Sequence, residues 1–201
     1  MSRDRYSSFA QLAAHEREGI DYTITAIRRP ASTIAVIAPH GGKIEKATAD
    51  IARAIAGDEF NLYLFEGIKS SGNYAGLHIT SHLFDEPSCL ALIRDCRFVV
   101  SIHGYTGKSE RDELILLGGL DTELKYYLAE ALHRAHFIAK TTEHEFMASD
   151  PNNICNRGKT RRGVQIEIPR LLSSNRYTAN FVRAIRAALL TYHDDNQNAS
   201  L

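Results

Sequence analysis

Cysteine is scarce, neither sign of charge is in excess, and no apolar run is long. The three cysteines, Cys89, Cys96 and Cys155, include no C-x-x-C pair. An odd number at that spacing excludes a disulfide framework and a thiolate zinc finger and leaves reduced thiols as the simplest reading. Lysine plus arginine and aspartate plus glutamate each total 24, so no whole-molecule field draws the chain to nucleic acid or to a membrane. Attraction for an anionic partner must therefore be local. No apolar stretch approaches the ~20 residues that span a bilayer. Residues 1–20 carry charge throughout and lack the apolar centre of a secretory signal or transit peptide. The expectation is a protein made in the cytoplasm.

What is present is an alternation of short apolar runs with stretches of helical period, over a length of 201 residues that suits one globular domain. Strands are expected at Thr33 to Ala38, Asn61 to Phe65, Phe98 to Ile102, Glu113 to Leu117, Phe137 to Lys140 and Val164 to Ile168. Helices are expected after the first strand (Ile44 to Ile55, stopped by Gly57), at Glu86 to Asp95, at Thr122 to His136 behind an Asp121 cap, and from Asn175 or Tyr177 to His193. The class is α/β, an open mixed sheet flanked by helices. Its core runs from about residue 6 to about 190, and a polar end from about 195 is expected to fray. Lys69 to Pro87 and Phe146 to Arg162 fit neither period, and loops of that length are usually functional.

His40 and His103 each close an apolar run, in Thr33-Ile34-Ala35-Val36-Ile37-Ala38-Pro39-His40 and Phe98-Val99-Val100-Ser101-Ile102-His103. In open α/β sheets the ligand crevice lies outside the carboxyl ends of the strands, so both imidazoles are expected at one site. Gly41 and Gly42 supply backbone freedom for a turn that folds Glu45 back toward His40. A catalytic zinc commonly takes three protein ligands and leaves one position open, and His40, Glu45 and His103 supply the three. Glu167 lies in the otherwise apolar Gly163-Val164-Gln165-Ile166-Glu167-Ile168-Pro169, where an unpaired charge is expensive, and is the candidate general base. Singly, each has a duller explanation. His40 suits a hydrogen-bonded turn, Glu45 the first turn of a helix, and Glu167 a structural ion pair with Arg161, Arg162 or Arg170.

Asn156, Arg157 and Arg162 belong to a group of amide and cationic donors just before the Glu167 strand, which marks them for carboxylate binding. His78 and His82, four apart, would share a helical face. His78 is taken as a further substrate contact.

At these residues the chain resembles the poly-γ-glutamate hydrolases of bacteriophages and prophage-bearing bacteria, whose fold is zinc carboxypeptidase-like. The resemblance runs from about Tyr6 to about Leu190. It is carried by Ala38-Pro39-His40-Gly41-Gly42-Lys43-Ile44-Glu45, Leu77-His78-Ile79-Thr80-Ser81, Ser101-Ile102-His103-Gly104, Cys155-Asn156-Arg157-Gly158 and Gly163-Val164-Gln165-Ile166-Glu167. It implies one zinc ion held by His40, Glu45 and His103, Glu167 as general base, and an anionic poly-γ-glutamate substrate. It also implies that a phage enzyme without an export signal is released at lysis. The interval from His40 to Glu45 is longer than the H-x-x-E of the carboxypeptidases.

Three other classes compete. A zinc amidohydrolase of a small N-acyl amino acid or cell-wall peptide would use the same residues. A nucleotide-binding module is suggested by Ser101-Ile102-His103-Gly104-Tyr105-Thr106-Gly107-Lys108-Ser109, which ends like a phosphate-binding loop but has Ile102 in place of its first glycine and leads to the strand-like Glu113 to Leu117 where a helix should open. A non-catalytic phage accessory protein would keep only the fold.

Overall fold

A nine-residue run of nearly unbroken burial, Ile34–Gly42, forms the strand around which the rest of the chain is arranged. The computed structural model describes residues 4–106, 114–169 and 175–198. In chain order the elements are α1 (Phe9–Ala13), β1 (Tyr22–Ile27), β2 (Ile34–Gly42), α2 (Thr48–Ala56), β3 (Asn61–Gly67), α3 (Asn73–Leu77), α4 (Pro87–Ile93), β4 (Phe98–Tyr105), β5 (Leu114–Gly118), α5 (Thr122–Arg134) and β6 (Ile138–Lys140). A 3₁₀ turn (Ile154–Arg157), β7 (Val164–Pro169) and α6 (Asn175–Asn198) complete them.

The strands form one sheet in the order β1-β3-β2-β4-β7-β5-β6. The central four, β3, β2, β4 and β7, run parallel. β1 is antiparallel to β3, while β5 is antiparallel to β7 and parallel to β6. From β2 the chain crosses to β3 on one side and later returns to β4 on the other, so the strand order reverses between β2 and β4. A crevice opens at such a reversal, at the carboxyl ends of the strands.

Period-two alternation divides the core into two layers. Ile34, Val36, Ala38, Val100, Ile102, Val164 and Ile166 pack with α2, α5 and α6 through Ile51, Ile55, Leu128 and Phe181. Ala35, Ile37, Tyr63, Phe65 and Val99 face Leu12, Leu77, Cys89 and Ile93 of α1, α3 and α4. Each such fully buried aliphatic or aromatic side chain contributes about 1.5–3 kcal/mol. Both helix layers are therefore held by their buried stripes more than by their intrinsic propensity.

Local signals place the helix ends. Asp121 caps α5 by accepting from the Leu124 N–H at 3.1 Å. Glu86 caps α4 through Ser88 and Cys89 N–H at 2.9 and 2.7 Å, with Pro87 at its first position. Gly57 ends α2 at φ 52°.

Some expectations differ from the structure. α2 begins at Thr48 rather than Ile44, because residues 44–47 are spent in a turn whose last residue, Ala47, has φ 70°. α1 and β1 were not read from the sequence, although Tyr22-Thr23-Ile24-Thr25-Ala26-Ile27 alternates as an edge strand should. The expected loop from Lys69 contains α3. His78 is the cap that ends α3, so it shares no helical face with His82. α6 continues through Asn198 instead of fraying near Asp195. The first residue of the expected strand from Glu113, Gly107-Lys108-Ser109 of the loop-like motif, and Arg170 lie outside the described residues.

The cysteines are all free and buried. Burial pushes their thiols up, to about 11 for Cys96, so they stay protonated and inert. No described helix is long and apolar enough to cross a membrane.

Candidate metal centre and active site

Parallel pairing brings the ends of β2, β4 and β7 together here, and one irregularity in β2 sets the direction of His40. Ala38 pairs with Leu64 but Gly41 pairs with Glu66, so β2 carries one extra residue at Pro39-His40. Such a bulge re-aims a side chain. By strict alternation His40 would join Ala38 on the α2 face. The bulge turns it instead toward Ile79, Phe84 and His78, on the same face as Ser101 and His103.

Two glycines make the turn possible, for different reasons. Gly42 has φ +64°, whereas a Cβ on Gly41 would stand 2.9 Å from the Ala49 Cβ and 3.0 Å from the Phe65 carbonyl oxygen. The Glu45 N–H then donates to the His40 carbonyl at 2.9 Å, closing the loop.

The donors meet at short range. His40 Nδ1 lies 3.0 Å from Glu45 Oε1 and 3.1 Å from His103 Nδ1, and His103 Nδ1 lies 3.6 Å from Glu45 Oε2. Four ligands about 2.05 Å from a tetrahedral ion stand about 3.3 Å apart, so these separations fit a divalent metal. The far sides of both rings agree. His40 Nε2 donates to the Ile79 carbonyl at 2.8 Å, which in a neutral imidazole leaves Nδ1 a bare lone pair. His103 Nε2 lies 2.6 Å from Ser101 Oγ. Two ring nitrogens and a carboxylate facing one another repel unless a cation lies between them, and outer partners of this kind are what orient metal ligands.

A second triple, His40, Glu45 and His78, has one ligand atom from each residue within 4.8 Å of the others. The set with His103 is the tighter of the two. His78 Nε2 stands 3.9 Å from Glu45 Oε1, and its ring lies over the His40 ring at 4.1 Å, outside the plane in which an ion on His40 Nδ1 would sit.

Glu167 stands beside His103 in register, as Gln165 stands beside Ser101. Alternation puts Val164, Ile166 and Ile168 in the α2-side core and sends Gln165 and Glu167 to the His103 face. Gln165 Nε2 donates to Glu167 Oε1 at 2.8 Å, and Gln165 Oε1 accepts from Asn153 Nδ2 at 2.9 Å. Glu167 is only 4 % exposed. His40, Glu45, His78, His103, Asn153, Gln165 and Glu167 line one cleft of about 600 Å³, which also includes Tyr74, Ser81, Glu145 and Asp150.

The two carboxylates titrate in opposite directions. Burial alone would raise Glu45, but His40 and hydrogen bonds from His103 and His40 outweigh it and hold the group well below its ordinary range. Burial, and then the Glu45 charge, push Glu167 from about 4.5 up to about 8. A cation between them would pull Glu167 back down. Burial, then His40, lower His78 to about 4, so it is neutral.

Linkage gives a pH test for the metal-free protein. A carboxyl whose folded pKa is raised holds its proton in the folded state between about 4.5 and 8, where the unfolded chain has released it. Stability from this group is complete below 4.5 and is lost as pH rises through 8. The metal-free protein is expected to melt at progressively lower temperature from pH 5 to pH 9, and Glu167→Gln is expected to flatten that slope. Identical slopes in calorimetry of both proteins would contradict it.

Other expected site residues lie elsewhere. Asn156 is fully buried. Its Oδ1 accepts from Leu120 and Gly163 N–H at 3.1 and 3.2 Å, and its Nδ2 donates to the Ala148 and Asp150 carbonyls at 2.9 Å each. That leaves nothing for substrate. Arg157 is half-buried and donates to the Phe84 carbonyl at 3.3 Å. Arg162 is exposed and, like Arg157, does not line the cleft.

The reason is strand direction. Residues just before β7 lie at its amino edge, and Lys159 N–H and Thr160 Oγ1 bond to the carbonyls of Cys96 and Arg97, at the start of β4. Five residues at about 3.3 Å each put Arg162 some 16 Å from Glu167. Arg162→Ala is therefore expected to leave substrate KM unchanged. Asn156→Ala strands several buried groups and should cost about 3 kcal/mol in urea unfolding.

Sequence reasoning also missed Ser101, Gln165 and Asn153. The first two were legible as polar residues two before His103 and Glu167 in apolar strands. Asn153 had no such signal.

The reversal point of a parallel-centred sheet thus gathers two imidazoles and two carboxylates, one held low and one raised, a set of donors able to hold a divalent ion. Comparison with known proteins places the chain in a family. Residues 6–187 match the family model described as poly-gamma-glutamate hydrolase, and the chain belongs to that family. It is 38 % identical over 169 residues to UPF0714 protein YndL of Bacillus subtilis (strain 168), covering 83 % of this chain and 64 % of that protein. The chain thus spans somewhat less than two thirds of that relative. A solved bacteriophage poly-gamma-glutamate hydrolase superposes with TM-score 0.89 at 30 % identity, over 96 % of this chain and 99 % of that one. The zinc-free structure of YndL gives 0.84 at 33 %, over 95 % and 100 %.

Proposed function

We propose that this chain hydrolyses the γ-glutamyl amide bonds of poly-γ-glutamate, with zinc held by His40, Glu45 and His103 and with Glu167 as general base. The observation that carries the reading is the convergence of His40 Nδ1, His103 Nδ1 and the Glu45 carboxylate within 3.0 to 3.6 Å, one strand away from a buried Glu167. Family membership and the zinc-free form of the similar YndL support the substrate and the metal.

Bound there, zinc supplies Lewis acidity toward the scissile carbonyl and lowers the pKa of water. The chain's own groups do the rest. Glu45 supplies the one negative charge of the donor set beside two neutral imidazoles. Glu167, aligned by Gln165, takes a proton from the nucleophilic water and returns it to the leaving nitrogen. That cycle restores the carboxylate and balances the reaction.

The test is to follow high-mass poly-γ-glutamate by gel or viscosity with metal-free protein, with zinc added back, and with chelator. Cleavage that requires zinc is expected. An intact polymer beside a cleaved small N-acyl amino acid would move the assignment to the small-substrate amidohydrolases.

A further inference from the structure

Asp4 lies 74 residues before His78 yet bonds directly to it, Oδ1 to Nδ1 at 2.7 Å, while its Oδ2 accepts the Thr80 N–H at 2.6 Å. The segment that delivers it is tied down separately. Tyr6 Oη donates to the buried Glu16 at 3.0 Å, Lys69 Nζ to the same carboxylate at 2.5 Å, and Phe9 N–H to Asp85 at 2.5 Å. A tether so well fastened does not need Asp4 to stay in place.

A carboxylate only accepts hydrogen bonds, so Nδ1 of His78 is the donor, and in a neutral imidazole Nε2 is then left as a lone pair. The ring is clamped between Tyr74, at 4.6 Å, and His40, at 4.1 Å. That clamp points Nε2 into the cleft 3.9 Å from Glu45 Oε1. An acceptor aimed there suits a group with O–H bonds to spare. The nucleophilic water has two, and Glu167 takes one.

We propose that Asp4 is a positioning residue for hydrolysis, acting through His78. It fixes the imidazole in the tautomer with Nε2 unprotonated, and that nitrogen accepts a hydrogen bond from the nucleophilic water. The water's lone pair is thereby turned toward the scissile carbonyl. This rests on the hydrolytic reading above.

Asp4→Asn is the informative variant, since its amide offers one acceptor to two N–H donors. With its oxygen kept by Thr80, its NH₂ faces His78 and drives the ring proton to Nε2. The expected result is a fall in kcat of about 10–100-fold, the scale of an outer-partner loss, with KM within twofold and zinc content unchanged. His78→Ala should fall similarly, and the double variant no further.

Nitrogen-15 spectra of histidine-labelled metal-free protein, with the His78 signals assigned by their absence in His78→Ala, should show an Nδ1–H ring in wild type and an Nε2–H ring in Asp4→Asn. Wild-type kcat in Asp4→Asn, or losses that add in the double variant, would overturn the proposal. If wild-type protein with zinc leaves the polymer intact, the hydrolytic reading fails on its own account. The spectra still judge the pair, since an Nδ1–H signal that persists in Asp4→Asn overturns the link.

Discussion

Glu167→Gln is expected to keep a full equivalent of zinc and to lose at least ~100-fold in kcat on poly-γ-glutamate, the contribution typical of a general base. The substitution is nearly isosteric. The hydrogen bond from Gln165 Nε2 survives, because the amide oxygen accepts it as the carboxylate Oε1 does. Glu167 makes none of the short contacts that gather Glu45, His40 and His103, so the donor set is untouched. What disappears is the ability to accept a proton in a cleft where burial and the Glu45 charge already press Glu167 toward holding one. The measurement is single-turnover cleavage with zinc quantified on the same sample. Near-normal turnover at full occupancy would remove Glu167 from the reaction, and a joint loss of zinc and rate would make it a ligand.

His40→Ala is expected to abolish activity by a different route, through the metal. His40 Nδ1 is the atom closest to both other donors. Apparent zinc binding of about 10–16 kcal/mol in four-ligand sites amounts to about 2.5–4 kcal/mol per ligand. One lost imidazole should then weaken zinc about 100–1,000-fold. Competition with a chromogenic chelator reads this directly. Ser101→Ala, which removes only the partner of His103 Nε2, should weaken zinc about tenfold. If His40→Ala bound zinc as wild type does, the ligand set would have to be rebuilt around His78.

The site was legible where it depends on strand ends and illegible where it depends on strand direction. His40 and His103 close apolar runs, and parallel neighbours bring such ends together whatever the loops do. Glu167 stood out as a charge in a buried run. Arg157 and Arg162 looked equally close to Glu167, yet a strand separates what precedes it from what lies near its end, and both arginines fall at the opposite edge. Asn156 resembled a ligand donor because an amide reads the same in sequence whether it serves substrate or four buried backbone groups. Asp4 carried no signal, since its partner lies across the fold.

The sequence alone determined the α/β class, the two strands whose ends carry histidines, and the signals that stop α2 and start α5. These follow from periodicity, residue type and local hydrogen bonds, all short-range. Only the tertiary structure decided that the extra residue in β2 turns His40 onto the His103 face, that Glu45 reaches both rings, and that Asp4 meets His78. Those outcomes depend on register between strands and on contacts between segments far apart in the chain, where packing and backbone pairing choose among arrangements that local preference leaves equal.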